Sequence, residues 1–464
     1  MTAAQFTALL PLLGIAGTSV VLMAVVSIRR DDRLAQVITL GGLAVSFGAL
    51  FATRPASPLQ ITPLLAIDGP ALFFFALIIA TAAVVGLLAY DYFRRRGCRI
   101  EEFSLLLLFA TLGSCVLAAS THFASLFLGL EVLSVSLYAM VAYFRNDENG
   151  LEAGVKYLIL AAVSSAFLLF GVALVYAATG SLEFGSLAGE VSLMTLAGVA
   201  LMMVGVGFKL ALVPFHMWTA DVYQGAPAPV TAFVATASKA AMAALLLRLL
   251  AVVDVPSPPL ILIMALLAAA SILVGNLLAL QQSNFKRLLA YSSIAHLGYL
   301  MIAVIAGGAR GAEAAAFYLA AYLPTTLAAF GVITVLSSAE RDLDRVTDYN
   351  GLGRKHPALA GLLTVTLLSL AGIPLTAGFI GKFLVLRSGV ATEQWGLALI
   401  LVLGSVISVF YYLRVIVAMY MQPAEEGSPH HPAVPLAAGA TLAALLAVIL
   451  WLGVWPNGVL GLLQ

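Results

Sequence analysis

Seven ionisable side chains lie inside apolar stretches that are long enough to cross a lipid bilayer. They are Glu131, Lys156, Lys209, Lys239, Arg248, Lys382 and Arg414. Placing one such charge at the centre of a bilayer costs about 2.5–3.5 kcal/mol on insertion scales. Seven uncompensated charges would oppose insertion, so these side chains must be paired or must line a hydrated path. Amines and a carboxylate arranged in this way can exchange protons.

Two of the lysines lie near prolines. Lys209 occurs in "LMMVGVGFKLALVPFHMW" (201–218), with Pro214 five residues further on, and Lys382 follows Pro374 in "LLSLAGIPLTAGFIGKF" (367–383). Proline removes a backbone hydrogen bond and kinks or opens a helix. Irregular backbone at membrane depth is tolerated only where protein buries it or where it lines a water-filled cavity. We therefore predict interrupted helices at both lysines, with snorkelling of Lys209 to the membrane face as the alternative.

Lys239 and His296 are further candidates for proton transfer. Lys239 lies near the middle of "VTAFVATASKAAMAALLLRLL" (230–250), too deep for comfortable snorkelling, and we favour a functional role. Arg248, near the outer end of this stretch, is better explained as an interface anchor. His296 follows Ser292 and Ser293 by one turn. It is either a hydrogen-bonded structural residue or a relay member, since an imidazole can take up a proton on one nitrogen and release it from the other.

Glu131, in "SLFLGLEVLSVSLYAM" (125–140), is either a protonated acid in apolar surroundings or an ionised partner of a lysine. We favour a pair with Lys209, because both lie near the middle or toward the cytoplasmic part of their helices. Lys156 lies four residues after Glu152, so an ordinary helical ion pair competes equally with a relay role. Arg414 is equally compatible with snorkelling and with a structural ion pair.

The composition excludes several classes of protein. With 62% hydrophobic and 10% charged residues, the 464-residue chain is an integral membrane protein rather than a soluble domain. A net charge of +1 gives no large field of one sign, so no nucleic-acid partner is expected. Cys98 and Cys115 are too few for a four-ligand zinc site or an iron–sulfur cluster. The polar "PHHP" sequence at His430 and His431 is not expected to bind a metal.

Fourteen apolar stretches predict an all-α polytopic membrane protein, because they are too continuous for the alternating strands of a membrane barrel. They lie at about 5–28, 36–53, 70–90, 103–119, 123–143, 155–177, 192–213, 228–252, 258–281, 288–307, 314–337, 357–386, 394–421 and 434–455. Loops after odd-numbered helices carry fourteen Lys and Arg residues, and loops after even-numbered helices carry three. The positive-inside rule then places both termini on the outer, periplasmic side.

The two interrupted helices would be the seventh and the twelfth, each with one lysine. Because they are five helices apart, they cross in opposite directions, as an inverted-topology repeat requires. We therefore predict, within a single membrane domain, three N-terminal helices in residues 1–102, two inverted five-helix repeats at 103–252 and 258–421, and a last helix at 434–455.

Three segments resemble the antiporter-like membrane subunits of respiratory complex I, a family that includes multisubunit cation/proton antiporters and membrane-bound hydrogenases. They are "FKLALVPFHMWTADVYQGAPAPVTAFVATASK" (208–239), "SNFKRLLAYSSIAHLGYL" (283–300) and "LSLAGIPLTAGFIGKF" (368–383). Within that family, "DVYQGAPAPV", "LFLGLEVLSVSLY" and "YYLRV" resemble the N-type subunits of bacterial NADH:quinone oxidoreductase, the counterparts of mitochondrial subunit 2. The resemblance covers almost the whole chain.

The resemblance implies fourteen helices, two inverted repeats and interrupted helices 7 and 12. The positions that match the family's proton-relay residues are Glu131, Lys156, Lys209, Lys239 and Lys382. With His296, they form the predicted relay. The chain itself is expected to bind no cofactor and no metal, while NADH, FMN, iron–sulfur clusters and quinone belong to partner subunits. Those partners are other membrane subunits of complex I and, through them, its peripheral arm. The expected location is the bacterial inner membrane.

Two other functions are compatible with these residues. A subunit of a sodium/proton exchanger, with no redox partner, or of a membrane-bound hydrogenase would use the same interrupted helices and lysines. Alternatively, the buried charges only hold helices together, although seven charges are more than that role needs.

Overall fold

The structure, a computed structural model, describes residues 2–54, 57–188, 192–252, 258–423 and 433–463. Thirteen helical segments among these residues are long and apolar enough to cross a membrane, and one of them, Ala228–Val252, consists of two consecutive helices. Two shorter helices between residues 357 and 391 form the remaining one of the fourteen predicted spans. The prediction of an all-α polytopic membrane protein is therefore confirmed. His430 and His431 lie outside the described residues.

The chain up to residue 252 contains ten helices among the described residues and one hairpin. The helices are α1 (Ala3–Ile28), α2 (Asp32–Thr53), α3 (Gly69–Arg95), α4 (Glu101–Ala119), α5 (Phe123–Val141), α6 (Glu148–Thr179), α7 (Leu193–Leu210), α8 (Met217–Gly225), α9 (Ala228–Ala235) and α10 (Ala237–Val252). Strands β1 (Leu59–Thr62) and β2 (Leu65–Ile67) pair antiparallel between α2 and α3. The sequence did not predict this hairpin.

Nine further helices follow in the described part of the chain after residue 257. They are α11 (Pro258–Leu280), α12 (Phe285–Ala306), α13 (Gly308–Leu336), α14 (Leu352–Lys355), α15 (Pro357–Ala371), α16 (Ala377–Ala391), α17 (Trp395–Met421), α18 (Leu436–Val454) and α19 (Asn457–Leu463). Short 3-10 turns occur at Phe184–Ala188 and Val346–Tyr349.

Polar side chains fix where several spanning helices begin. Asp31, Asp68 and Asn284 each accept hydrogen bonds from backbone N–H groups in the first turn of α2, α3 and α12, respectively. These N–H groups have no partner within the helix, so a side-chain cap is worth about 1 kcal/mol. At the other end of α6, Gly180 takes the left-handed conformation (φ 69°) that ends a helix. The ends of these spans are therefore set by local chemistry as well as by apolar length.

The predicted interruption of the seventh span is confirmed. After α7, Ala211 has a left-handed backbone (φ 62°), and Pro214 has no N–H to donate. The N–H of Val213 donates to Ser271 Oγ at 2.9 Å. In a continuous helix that N–H would bind the carbonyl of Lys209, so the interruption leaves this carbonyl available to another donor.

The predicted interruption of the twelfth span is also confirmed. α15 ends at Gly372, which has a left-handed backbone (φ 86°). A Cβ atom at Gly372 would lie 2.9 Å from Cδ of Lys382. The chain then passes through Pro374 and Leu375 (φ 72°) before α16 begins. Glycine is thus required at this position both for its conformation and for the close approach of the lysine.

An interruption that the sequence did not predict divides the eighth span. α9 ends and α10 begins on either side of Thr236, whose backbone has φ −122° and ψ −81°. Its N–H donates to the carbonyl of Phe233 and its hydroxyl donates to the carbonyl of Ala232. No proline or glycine occurs between residues 230 and 238 to indicate the break. The lysine at position 239 therefore lies in the first turn of a new helix.

The described residues form two compact units. The first comprises Met1–Leu210 and Ala237–Leu260, and the second comprises Ala211–Thr236 and Ile261–Gln464. In the first unit, α6 and α7 approach so closely that a Cβ atom at Gly171 would lie only 2.4 Å from the carbonyl oxygen of Gly198. In the second unit, α13 packs against α9, α12, α15, α16 and α18. The inverted repeats at 103–252 and 258–421 stay a prediction.

Candidate functional site

Lys209 occupies the last turn of α7, in the first unit, and only 3% of its surface is exposed. Its ammonium donates hydrogen bonds to Ser134 Oγ at 2.8 Å and to the Tyr157 hydroxyl at 3.1 Å. It also lies 5.4 Å from the centre of the Tyr157 ring. Neutral hydroxyls and a ring face therefore hold this ammonium, which does not snorkel to the surface.

Glu131 lies on α5, one turn before Ser134, and is partly exposed. Its carboxylate accepts a hydrogen bond from Ser165 Oγ at 3.1 Å. Within the described residues, no ion pair shorter than 4.0 Å joins Glu131 to Lys209, so the favoured direct pair is not formed. Glu131 still acts on Lys209 electrostatically. The Lys209 ammonium instead donates to the hydroxyl of Ser134, which lies on α5 three residues after Glu131.

Lys239 is completely buried at the start of α10. Its ammonium donates a hydrogen bond of 2.7 Å to the backbone carbonyl of Lys209. This is the carbonyl that the interruption after α7 leaves available. An ammonium at the carbonyl end of a helix is also stabilised by the helix dipole. The structure thus brings two buried lysines together at one helix end.

Lys382 has a comparable position in the second unit. Its buried ammonium donates to the carbonyl of Ala371, the last residue of α15, at 2.9 Å. It also lies 5.1 Å from the centre of the Tyr299 ring. Lys382 forms no ion pair with any acidic residue in the described ranges. A lysine therefore closes the carbonyl end of the helix at both predicted interruptions.

His296, in α12, is buried among tyrosines of the second unit. Its Nδ1 lies 2.6 Å from the Tyr318 hydroxyl, and its Nε2 lies 3.4 Å from the Tyr412 hydroxyl. Its ring meets that of Tyr299 edge to face, with 5.6 Å between the ring centres. Both nitrogens thus have hydroxyl partners, which can act as donors or acceptors. The bonds that fix the ring are also possible routes for a proton.

A small cavity adjoins this histidine. It is lined by His296, Tyr318, Ala321, Tyr322, Thr325, Ser369, Leu370 and Gly378. Its volume of about 10 Å³ is at the lower limit for one water molecule. Tyr322 donates to Ser293 Oγ at 2.8 Å, so hydroxyl groups continue along α12 from the cavity.

Lys156, the remaining member of the predicted relay, lies near the start of α6. Its side chain is 44% exposed and forms an ion pair with Glu152 at 2.6 Å. This is the helical pair that competed with a relay role. The observed contact does not exclude either role, and the place of Lys156 in a relay stays a prediction.

Two arginines within the spans bind helix ends. Arg248 makes hydrogen bonds of 2.7 and 2.8 Å to the carboxylate of Asp68 and donates to the carbonyl near the end of α4. Arg414 donates to the carbonyls of Leu280 and Gln282, at the end of α11. These contacts do not test the expectations of an interface anchor at Arg248 and of snorkelling or an ion pair at Arg414, which stay predictions. Both side chains tie one helix to another.

Sequence reasoning missed a buried ion pair at the start of α12. Lys286 is 1% exposed, pairs with Asp342 at 2.8 Å and donates to the carbonyl of Ala226 at 2.6 Å. Because the predicted tenth span begins at residue 288, the sequence places Lys286 in the preceding loop. The acidic residues in the loop around Asp342 could have indicated a partner for Lys286. In the same loop, hydrogen bonding to Asp348 raises the pKa of Arg341.

The contacts give the buried amines different chemical possibilities. A backbone carbonyl accepts a hydrogen bond but has no proton to pass on, so it can only hold an ammonium in place. A hydroxyl both accepts and donates, so it can transfer a proton between neighbours. Lys209 and His296 contact hydroxyls, and these two residues have the surroundings best suited to proton exchange.

Comparisons with known proteins identify the group to which the chain belongs. The family model described as NADH:quinone oxidoreductase/Mrp antiporter, transmembrane, matches residues 120–408. The chain is 48% identical to the NADH-quinone oxidoreductase subunit N of Methylococcus capsulatus, with 98% of this chain and 94% of that protein covered.

Solved structures agree with this result. A chain of respiratory complex I from Thermus thermophilus, solved with bound aureothin, has a TM-score of 0.85 and 39% identity, over 97% of this chain and 98% of that chain. A chain of the Mrp complex from a Dietzia species has a TM-score of 0.88 over 100% and 96% of the two chains, but its 21% identity shows the fold alone. The chain is a multi-pass membrane protein and belongs to the NADH-quinone oxidoreductase subunit N family, within the larger group that shares its fold with Mrp antiporters.

Proposed function

We propose that this chain is the proton-translocating N-type subunit of a bacterial NADH:quinone oxidoreductase. Family membership and the buried amines at the interrupted helices support this function. NADH oxidation, FMN, iron–sulfur clusters and quinone reduction are assigned to partner subunits. The partners are the other membrane subunits and, through them, the peripheral arm. The location is the inner membrane, with both termini on the periplasmic side because the odd-numbered loops are the cationic ones.

The proposed relay begins at Glu131. A change in its surroundings weakens its electrostatic effect on Lys209. Protons then move through ordered water in the order Lys209, Lys239, His296 and Lys382, with each residue accepting a proton after it has released its own to the next and Lys382 releasing its proton from the relay. Moving one charge against about 100 mV costs roughly 2.3 kcal/mol, which must be supplied by electrostatic or conformational changes in a neighbouring subunit. In this scheme the two interrupted helices belong to inverted five-helix repeats.

The contact between Lys239 and the carbonyl of Lys209 carries the proposal. The ammonium of Lys239 donates a hydrogen bond of 2.7 Å to the carbonyl of Lys209, so both lysines lie at the end of α7, where the span is interrupted. Lys209 itself contacts Ser134 and Tyr157, whose hydroxyls can take part in proton transfer.

The test replaces Lys209 or Lys239 by Met in the assembled complex. Methionine fills a similar volume without a titratable group, so each variant should assemble and lose proton pumping coupled to NADH oxidation. Lys355→Met is the matched control, because Lys355 is exposed at the end of α14. Normal pumping by assembled Lys209→Met and Lys239→Met complexes would contradict the proposed relay.

A sodium/proton exchanger subunit is the second candidate. The similarity to the Mrp complex concerns the fold alone, whereas the 48% identity favours the N-type subunit. Measuring transport by the purified complex with and without sodium ions distinguishes the two functions, since an exchanger requires the second cation.

A further inference from the structure

Lys382 has no acidic partner among the described residues, so the face of the Tyr299 ring is a main source of its stabilisation. The ammonium lies 5.1 Å from the ring centre, and within the described ranges it donates a hydrogen bond to the carbonyl of Ala371. Cation–π attraction is strongest where both groups are desolvated, and both residues are buried here. The orientation of Tyr299 therefore determines where the charge of Lys382 is most stable.

The same ring also contacts His296. The two rings meet edge to face at 5.6 Å, and Lys382 lies close enough to act on His296 electrostatically. Tyr299 thus touches both residues that the proposed relay uses in the second unit. A rotation of this ring would change the position of the ammonium relative to the imidazole.

Asn276, on α11, fixes the other end of Tyr299. Its amide donates to the Tyr299 hydroxyl at 3.0 Å and to the carbonyl of Ile272 at 2.8 Å, and its oxygen accepts from the Tyr411 hydroxyl at 3.0 Å. Asn276 is completely buried in an apolar span. A buried amide is costly unless its hydrogen bonds are made, and here both ends are used.

Gly404 leaves just enough space for this arrangement. A Cβ atom at Gly404 would lie 2.8 Å from the Tyr299 hydroxyl oxygen, 2.9 Å from the Asn276 amide nitrogen and 2.6 Å from a methyl group of Ile272. All three groups would have to move to admit it. The position thus offers a way to disturb the contact between Asn276 and Tyr299 without changing either residue.

We infer that Tyr299 is a positioning residue for proton transfer through Lys382, and that Asn276 holds its ring in the required orientation. The inference rests on the proposed function of Lys382. Tyr299 itself transfers no proton in this scheme. It acts through the ring face beneath the ammonium and through its edge against His296.

The first test compares Tyr299→Leu with Tyr299→Phe in the assembled complex. The leucine variant removes the ring, so proton pumping per NADH oxidised should fall about tenfold or more. The phenylalanine variant keeps the ring but loses the hydroxyl that Asn276 binds, so its pumping should be intermediate between that of Tyr299→Leu and that of the unchanged complex. Assembly and uncoupled NADH oxidation should be normal in both. Equal losses in the two variants, or normal pumping by Tyr299→Leu, would overturn the inference.

Two further comparisons make the result specific. Gly404→Ala should reduce pumping, whereas Gly396→Ala, on the same helix with open space around it, should not. Normal pumping by Gly404→Ala would overturn the role of the contact between Asn276 and Tyr299. Lys382→Met is measured in parallel. If that variant pumps normally, the proposed function of Lys382 fails; if it is impaired while Tyr299→Leu is normal, only the positioning role fails.

Discussion

Replacing Ser134 by alanine tests directly whether hydroxyl groups hold Lys209 in its working position. The Ser134 oxygen accepts the shorter of the two hydrogen bonds from the ammonium, at 2.8 Å. Removing it leaves the Tyr157 hydroxyl at 3.1 Å and the Tyr157 ring face. The backbone of α5 should be unaffected, because alanine is the best helix former.

The size of the effect follows from the environment of the bond. A hydrogen bond to a charged group is worth about 1.5–3 kcal/mol, which corresponds to a change of about 10- to 150-fold in an equilibrium constant. The ammonium is almost completely buried, so water cannot readily replace the lost partner. We therefore expect the rate of proton translocation in Ser134→Ala to fall by at least about tenfold.

The assay reconstitutes the assembled complex in vesicles and records proton uptake and NADH oxidation together. Ser134→Thr retains the hydroxyl and should keep most of the activity. Ser136→Ala is the matched control on the same helix, because Ser136 donates to the carbonyl of Val132 within α5 at 2.8 Å. Equal activity of the Ser134→Ala and Ser136→Ala complexes would refute the reasoning.

Two ion pairs give predictions about stability. Asp68→Asn should keep the helix cap and lose the ion pair with Arg248, lowering stability by about 1–3 kcal/mol. Asp68→Ala should lower stability by about 1 kcal/mol more, because the cap is also lost. The order of the melting temperatures of the purified complexes checks this prediction. Asp342→Asn should cost about 3–5 kcal/mol, because it leaves the buried Lys286 without a carboxylate. Adding Lys286→Met should recover part of that loss, measured as the yield of assembled complex, and no recovery would argue against the pair.

Proline and glycine made the two interrupted spans predictable from the sequence. Pro214 and Pro374 each remove an N–H from a long apolar stretch, and Gly372 supplies the left-handed residue. These are local effects that act whatever the rest of the fold does. The break at Thr236 was not predictable, because a threonine in an apolar helix has no comparable local signal. The hydrogen bond from its hydroxyl to the carbonyl of Ala232 is evident only from the structure.

The partners of the buried charges were the least predictable feature. The similar depths of Glu131 and Lys209 in their helices suggested a pair, but they could not show that Ser134 and Ser165 would take the hydrogen bonds instead. The sequence also gave no means of recognising the helix ends that bind Arg248 and Arg414, because those carbonyls belong to distant segments. Helix periodicity indicates which residues share a face of one helix, whereas a hydrogen bond between helices depends on the positions of both helices.

The carbonyl shared between Lys209 and Lys239 has a mechanical consequence. Both amines are connected to the backbone at Lys209. The Lys209 amine is connected through its own side chain, and the Lys239 amine through a 2.7 Å hydrogen bond to the Lys209 carbonyl oxygen. A pull on the last turn of α7, by a fraction of an ångström, would displace both nitrogen atoms at once. Such a movement would shift both charges together, with no need for a separate signal to each residue.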